Sequence, residues 1–211
     1  MKTIYLIRHS APFIEIENYD DYENVLWNDY NRNMILSSEG EENAKKLCEL
    51  DELRNLDAVY SADSFRAIGT AKYVAEMNNL KIKLDERINE RNLGVKTISE
   101  LPKNQTITSF SNKDYKFGTG ESLNEVDIRF NSFITDLLND TNSRVALFIH
   151  GIIMMSFLQN NTEFFFDGRN MKLIFNDKEI FNDKMKNPMV FKIDYDANEI
   201  INIEFIDYEK K

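Results

Sequence analysis

One short segment limits the fold more than any other. Arg144–His150 (RVALFIH) holds five consecutive apolar side chains between an arginine and a histidine. Successive side chains of a strand point to opposite faces, so an unbroken apolar run must be covered on both sides. Thr3–Arg8 (TIYLIR) has the same character, and Asp57–Ser61 and Lys81–Leu84 read as shorter strands. Helical patterns separate them. Ser38–Glu41 has capping-box spacing and opens an amphipathic run to about Leu53. The stretch SADSFRAIGTAKYVAEM predicts a helix whose buried face carries Phe65, Ile68, Ala71 and Tyr73 or Val74. Ser122 with Glu125 caps a third helix through Val126, Phe130, Phe133, Ile134, Leu137 and Leu138, and Gly151 starts a fourth, GIIMMSFL. The segments PMVFKIDYD and EIINIEFID flank an Ala-Asn link and predict a hairpin. Strands alternating with helices predict an α/β fold: a mostly parallel central sheet with helices on both faces and the C-terminal β-hairpin at the sheet edge.

At 211 residues the chain is expected to form a single domain, 1–211. Residues 92–120 show weak patterning and predict a lid or cap excursion rather than a core element. Glu15–Glu23 predicts a solvated acidic loop. With 26 Lys and Arg against 36 Asp and Glu, the net charge of −10 argues against nucleic acid or an anionic membrane as partner. The single cysteine, Cys48, excludes an intramolecular disulfide and a thiolate zinc site. No run approaches the roughly 20 apolar residues of a membrane span, and the five-residue apolar run near the N-terminus is too short for a signal-peptide core. A cytoplasmic setting, no metal and no cofactor are expected. Nothing in the sequence specifies an oligomeric state.

Only two histidines occur, so any imidazole chemistry must use His9 or His150. Both fall at the C-terminal ends of predicted strands, where open α/β sheets place ligands. His9 follows Arg8, and His150 precedes Gly151 at a helix start, where free N–H groups favour an anion. Arg66 lies in the first turn of the helix after the second strand. Each feature alone also fits a structural histidine or a surface arginine. Together they describe a phosphate-sized anion site.

These residues also carry a family resemblance. YLIRHSAP resembles the RHG signature of the histidine phosphatase superfamily, the phosphoglycerate mutase-like family. YSADSFRAIGTA resembles its second motif, INERNLG its acid motif, FGTGES its Gly-Glu-Ser segment and FIHGIIMM its closing His-Gly motif. The matches keep the family's order from about residue 3 to 155. The resemblance implies a phosphoglycerate mutase-like fold and a phosphoric monoester hydrolase. It implies His9 as the nucleophile forming a phosphohistidine, with Arg8, Arg66 and His150 around the phosphoryl oxygens. Glu90 would protonate the leaving oxygen and then deprotonate water, its pKa raised by nearby phosphate. Ser10, Glu121 and Gly151 are expected on the substrate side. The implied partner is a small phosphorylated substrate or free phosphate.

Two departures stand out. Ser10 replaces the signature glycine, and Pro12 stands where many relatives carry a phosphate-touching Ser or Thr. The segments 92–120 and Asp20–Met34 are expected to line the substrate pocket. Alternatives stay open at this stage: a phosphoglycerate mutase using the same site, an inactive relative binding a phosphorylated ligand, and a carboxylate-ligated metalloenzyme.

Overall fold

The computed structural model describes residues 1–14, 25–100 and 103–209. Its main sheet has six strands: β1 (Lys2–Arg8), β2 (Ala58–Ser61), β3 (Ile82–Leu84), β4 (Arg144–Ile149), β8 (Met189–Asp196) and β9 (Glu199–Ile206), in the order β3-β2-β4-β1-β8-β9. The first four are parallel, and β8 and β9 are antiparallel to their neighbours. The sheet is thus mostly parallel, with the C-terminal hairpin at its edge. The tight link of that hairpin puts Ala197 at φ 50°.

The apolar runs behave as their two-sided burial requires. Ile4, Leu6, Val145, Leu147 and Ile149 face a core built with α5 (Leu123–Asn139) and α6 (Gly151–Asn161). Tyr5, Ile7, Ala146 and Phe148 face the opposite layer, made by α2 (Ser38–Lys46) and α3 (Phe65–Met77) with the turns that follow α2. Two further short helices are α1 (Trp27–Asn33) and α4 (Gln105–Ser111). Among the described residues no helix is long and apolar enough to cross a membrane.

Four local expectations are corrected. The cap of α2 is Ser37, not Ser38: its extended backbone lets Oγ accept from Gly40 N at 3.0 Å. Glu41 is therefore free of a capping role and accepts from Lys72 and Tyr73. Second, α2 ends at Lys46, and the apolar run continues through two 3₁₀ turns that bury Leu47, Leu50 and Leu53. Third, the buried face of α3 is Arg66, Ala67, Thr70, Ala71, Val74 and Ala75, while Phe65 is half exposed. The helix starts at the sheet end, so its first inward turn meets polar groups rather than core. Fourth, the 92–120 excursion is not wholly peripheral. Phe110 of α4 is buried in the main core and stacks on Phe164, ring centroids 5.5 Å apart.

A second sheet was not anticipated. Strands β5 (Glu163–Phe166), β6 (Asn170–Phe175) and β7 (Lys178–Lys184) pair antiparallel and pack Met171 and Leu173 into the α5–α6 core. Its turns do carry sequence signals. Asp167 accepts the N–H groups of Arg169 and Asn170 beside Gly168 at φ 96°, and Asn176 and Asp177 adopt φ 50° and 60°. The predicted acidic loop Glu15–Glu23 lies outside the described residues.

One glycine ties α2 to the loop after β1. A Cβ on Gly40 would overlap the Ala11 carbonyl oxygen and sit 3.0 Å from its carbon. Alanine in a helix ordinarily gains up to about 1 kcal/mol over glycine, but overpacking against backbone costs about 1–3 kcal/mol. Gly40→Ala is therefore expected to lower thermal stability and, by displacing the loop that carries Ser10 and Ala11, to lower activity. A calorimetric Tm at or above wild type would refute the close packing.

Candidate active site

Parallel pairing brings the site together. β1 and β4 align Arg8 with Ile149, and His9 N–H donates to the Ile149 carbonyl at 3.0 Å. β2 aligns Ser61 with Phe148, and Ala62 N–H donates to Phe148 at 2.9 Å. The register leaves His9, His150 and the start of α3 side by side at the C-terminal sheet edge. The lead-in to β8 secures them from the other side: Asn187 Nδ2 donates to the His9 carbonyl at 3.0 Å, and the Lys186 carbonyl accepts from Arg8 Nη1 at 3.0 Å.

His9 is buried, at 6% exposure. Its Nδ1 lies 2.8 Å from the Ser10 carbonyl, which can only accept, so the proton is on Nδ1. The Nε2 lone pair is then free to react, and it accepts from Arg66 Nε at 3.1 Å. Burial, reinforced by Arg66 and Arg8, pushes His9 well below the ordinary histidine pKa, which keeps the ring neutral.

Arg66, at 3% exposure, connects the site. Besides His9 it donates Nη2 to His150 Nδ1 at 3.0 Å and to Asn31 Oδ1 at 2.9 Å, and Nη1 to the Asn31 carbonyl. Thr70, one turn on, accepts from Ser10 N–H at 2.9 Å. Since Arg66 donates to Nδ1 of His150, the bonding assigns the ring proton to Nε2, which lies 3.2 Å from Ser64 Oγ. The two imidazoles meet edge to face with centroids 5.1 Å apart. His150 is also held well below the usual histidine range, by burial first and by Arg66 and His9 after it.

Glu90 Oε2 lies 3.2 Å from His150 Nδ1. That nitrogen already accepts from Arg66 Nη2 at 3.0 Å, so the Glu90 oxygen sits at the edge of the same Arg66–His150 bond. Burial raises the Glu90 pKa, although Arg66, the Arg91 N–H and Arg8 oppose it. Neither neighbouring arginine side chain pairs with the Glu90 carboxyl. Arg87 binds Asp85 and Asp136, and the Arg91 side chain reaches Ser109, Tyr115 and the Glu121 carbonyl. Arg91 touches Glu90 only through its backbone N–H.

Arg8 is pushed down to about 10 by burial and by Arg66, and still carries its charge at neutral pH. Its Nε is a buried donor with no partner among the described residues, as is Ser10 Oγ. Gly151 makes room for Arg8. A Cβ there would lie 3.1 Å from Arg8 Nε and 3.4 Å from Cζ. Arg8, His9, Arg66, His150 and Glu90 thus form one connected cluster, with Ser10 and Gly151 at its border. Glu121 is placed apart from the two histidines, in an ion pair with Arg129. Asn31, Ser64, Thr70, Asn187 and Arg129 were not singled out in the sequence. Only Asn31 lay in a segment expected to line the pocket. Ser64 and Thr70 lie within the YSADSFRAIGTA motif around Arg66, whereas Asn31, Asn187 and Arg129 reach the site only through tertiary contact.

Among the described residues, no group of three or more His, Cys, Asp and Glu is arranged to hold a metal ion. The arrangement can present an unprotonated imidazole nitrogen and two guanidinium groups to one tetrahedral oxyanion, with the Glu90 carboxyl beside His150.

Comparison with known proteins identifies the family and the fold. The family model for the histidine phosphatase superfamily, branch 1, matches residues 4–171. A curated relative from Enterobacter sp. (strain 638), "Probable phosphoglycerate mutase GpmB", is 25% identical over 168 residues, 73% of this chain and 72% of that protein. Two solved structures show the same fold. A mycobacterial glucosyl-3-phosphoglycerate phosphatase complexed with inorganic phosphate covers 98% of this chain and 96% of its own at 15% identity, TM-score 0.68. A phosphoglycerate mutase from Bacillus anthracis str. Sterne covers 99% and 94% at 18% identity, TM-score 0.66.

Proposed function

The chain belongs to the histidine phosphatase superfamily, and from that membership we propose that it is a metal-independent phosphomonoesterase acting on a small phosphorylated metabolite through a phosphohistidine. One observation carries the reading: His9 Nε2 holds its lone pair toward Arg66 at 3.1 Å while Nδ1 is fixed on the Ser10 carbonyl at 2.8 Å. In the proposed reaction the phosphoryl oxygens take the Arg66 Nε–H, which frees Nε2 to attack phosphorus. The P–N bond forms as the ester P–O bond breaks, and Glu90 gives its proton to the departing alcohol oxygen. Arg8, Arg66 and His150 stabilise the oxygens, the arginines by offering planar pairs of donors. Water then attacks the phosphohistidine, and Glu90 takes back a proton. Inorganic phosphate leaves, and His9 is neutral again.

The purified protein is expected to hydrolyse p-nitrophenyl phosphate in excess EDTA. Activity that disappears with chelator and returns with a divalent cation would overturn the metal-independent step. The name of the curated relative gives a second reading, a mutase that returns the phosphoryl group to a bound intermediate. A coupled phosphoglycerate interconversion assay, primed with bisphosphoglycerate, separates the two.

The pH profile follows from the same groups. His9 lies below the ordinary pKa of 6.5, so its nucleophilic form persists as pH falls through that value. Glu90 lies above 4.5 and must be protonated to act as acid, so kcat/KM is expected to fall as pH rises through its displaced pKa. With an alkyl ester such as β-glycerol phosphate as substrate, Glu90→Gln cannot titrate and should lose the alkaline limb together with most of the activity. General acid catalysis typically contributes about 10²–10⁴-fold. An unchanged alkaline limb in that variant would assign the titration elsewhere.

A further inference from the structure

We propose that the Glu121–Arg129 ion pair is a positioning device for Glu90: it holds the loop from Arg87 to Asn92 so that the acid meets the leaving oxygen. This rests on the reading of Glu90 as the proton donor. Arg129 forks onto Glu121, with Nε on Oε1 at 2.7 Å and Nη2 on Oε2 at 3.0 Å. The same guanidinium donates Nη1 to the Arg87 carbonyl at 2.7 Å and points Nη2 to the Glu90 carbonyl at 3.4 Å. Glu121 Oε2 accepts the Asn92 N–H at 2.8 Å. The loop is therefore gripped before, at and after Glu90 by one pair of side chains.

The anchorage of that pair is itself fixed. Glu121 precedes Ser122, the cap of α5, where Ser122 and Glu125 bond reciprocally. Arg129 stands about two turns into α5, and Glu121 immediately precedes its cap. The Glu121 carbonyl also accepts from Arg91 Nε at 2.8 Å, and Arg91, at 5% exposure, reaches on to Ser109 and Tyr115. The Glu90 carboxyl has two contacts of its own, Arg91 N–H at 3.0 Å and His150 at 3.2 Å. Its aim is thus set mainly by the backbone that the ion pair holds. Both carboxylate oxygens of Glu121 are engaged inside the protein, which replaces the expected substrate-side role with a supporting one.

Loss of acid positioning has a signature that general loosening lacks. A poor leaving group needs its oxygen protonated, whereas p-nitrophenolate departs well without help. The test measures kcat/KM for β-glycerol phosphate and for p-nitrophenyl phosphate in wild type, Arg129→Lys, Glu121→Gln and Glu90→Gln. Lysine keeps the charge of Arg129 but not its fork. A misplacement of about 1 Å can cost as much as 10²-fold, so the alkyl-to-aryl ratio is expected to fall about tenfold in Arg129→Lys and in Glu121→Gln. Inorganic phosphate binding, which does not use Glu90, should stay within about threefold of wild type. A ratio within about threefold of wild type in both variants, whatever the absolute loss, overturns the positioning role. If one variant does not fold, the other decides. If instead Glu90→Gln leaves the ratio unaltered, the parent assignment of Glu90 fails and takes this inference with it.

Discussion

Replacing His9 by alanine is expected to remove turnover, by about 10⁴-fold or more in kcat, because no other group can form the covalent intermediate. The only other imidazole, His150, is fully buried, with Nδ1 against Arg66 and Glu90 and Nε2 3.2 Å from Ser64 Oγ. Phosphate binding should survive, since Arg8, Arg66 and His150 remain. Two measurements check this. Denaturing the wild type during turnover should trap an acid-labile phosphoryl group, and His9→Ala should trap none. Isothermal calorimetry with inorganic phosphate should give comparable affinities. Activity in His9→Ala within about tenfold of wild type would exclude the phosphohistidine route.

Arg66 is expected to produce the next largest loss. Its guanidinium spans His9 Nε2, His150 Nδ1 and Asn31 within 3.1 Å, a set that a single ammonium cannot reproduce. Arg66→Lys should therefore lose about 10²–10³-fold in kcat/KM, the range for removing one preorganised donor to a transition-state oxyanion. Arg66→Met should lose at least as much and should also move a titration. Arg66 lowers the pKa of His9, so deleting its charge lets the ring protonate at higher pH, and the acid limb of kcat/KM should shift upward. Arg66→Lys, which keeps the charge, should shift it less. Equal acid limbs in wild type and Arg66→Met would mean that another group controls the acid side.

Asn31 adds a link between that charge and the segment preceding α2. It receives both terminal nitrogens of Arg66 through its carbonyl and its amide oxygen. A phosphoryl group entering the cluster competes for the same donors.

How much of this could be read from the chain depends on the range of each interaction. The unbroken apolar runs of β1 and β4 dictate a sheet covered on both faces, because period-two alternation leaves no side for water. The scarcity of histidine concentrates the chemistry at two strand ends, and the motif order places Arg66 and Glu90 beside them. Those signals are local, or joined by a single parallel register. The second sheet went unread although its turns are marked by Asp167-Gly168 and Asn176-Asp177, because its short strands mix polar and apolar residues. The buried face of α3 departs from its apolar pattern for a related reason. Apolar periodicity favours Phe65, whereas packing at the sheet end turns Arg66 and Thr70 inward.

The sequence by itself determined the layered α/β architecture, the two imidazoles and the arginine and carboxylate that accompany them. Only the tertiary structure decided which ring nitrogen of His9 is free, in which direction burial moves the Glu90 pKa, and which partners hold both in place. Those properties come from burial and from contacts between residues far apart in the chain: Arg66 with Asn31, Asn187 with His9, Arg129 with the Glu90 loop. Desolvation and hydrogen-bond geometry are properties of assembled surroundings, and residue order alone does not contain them.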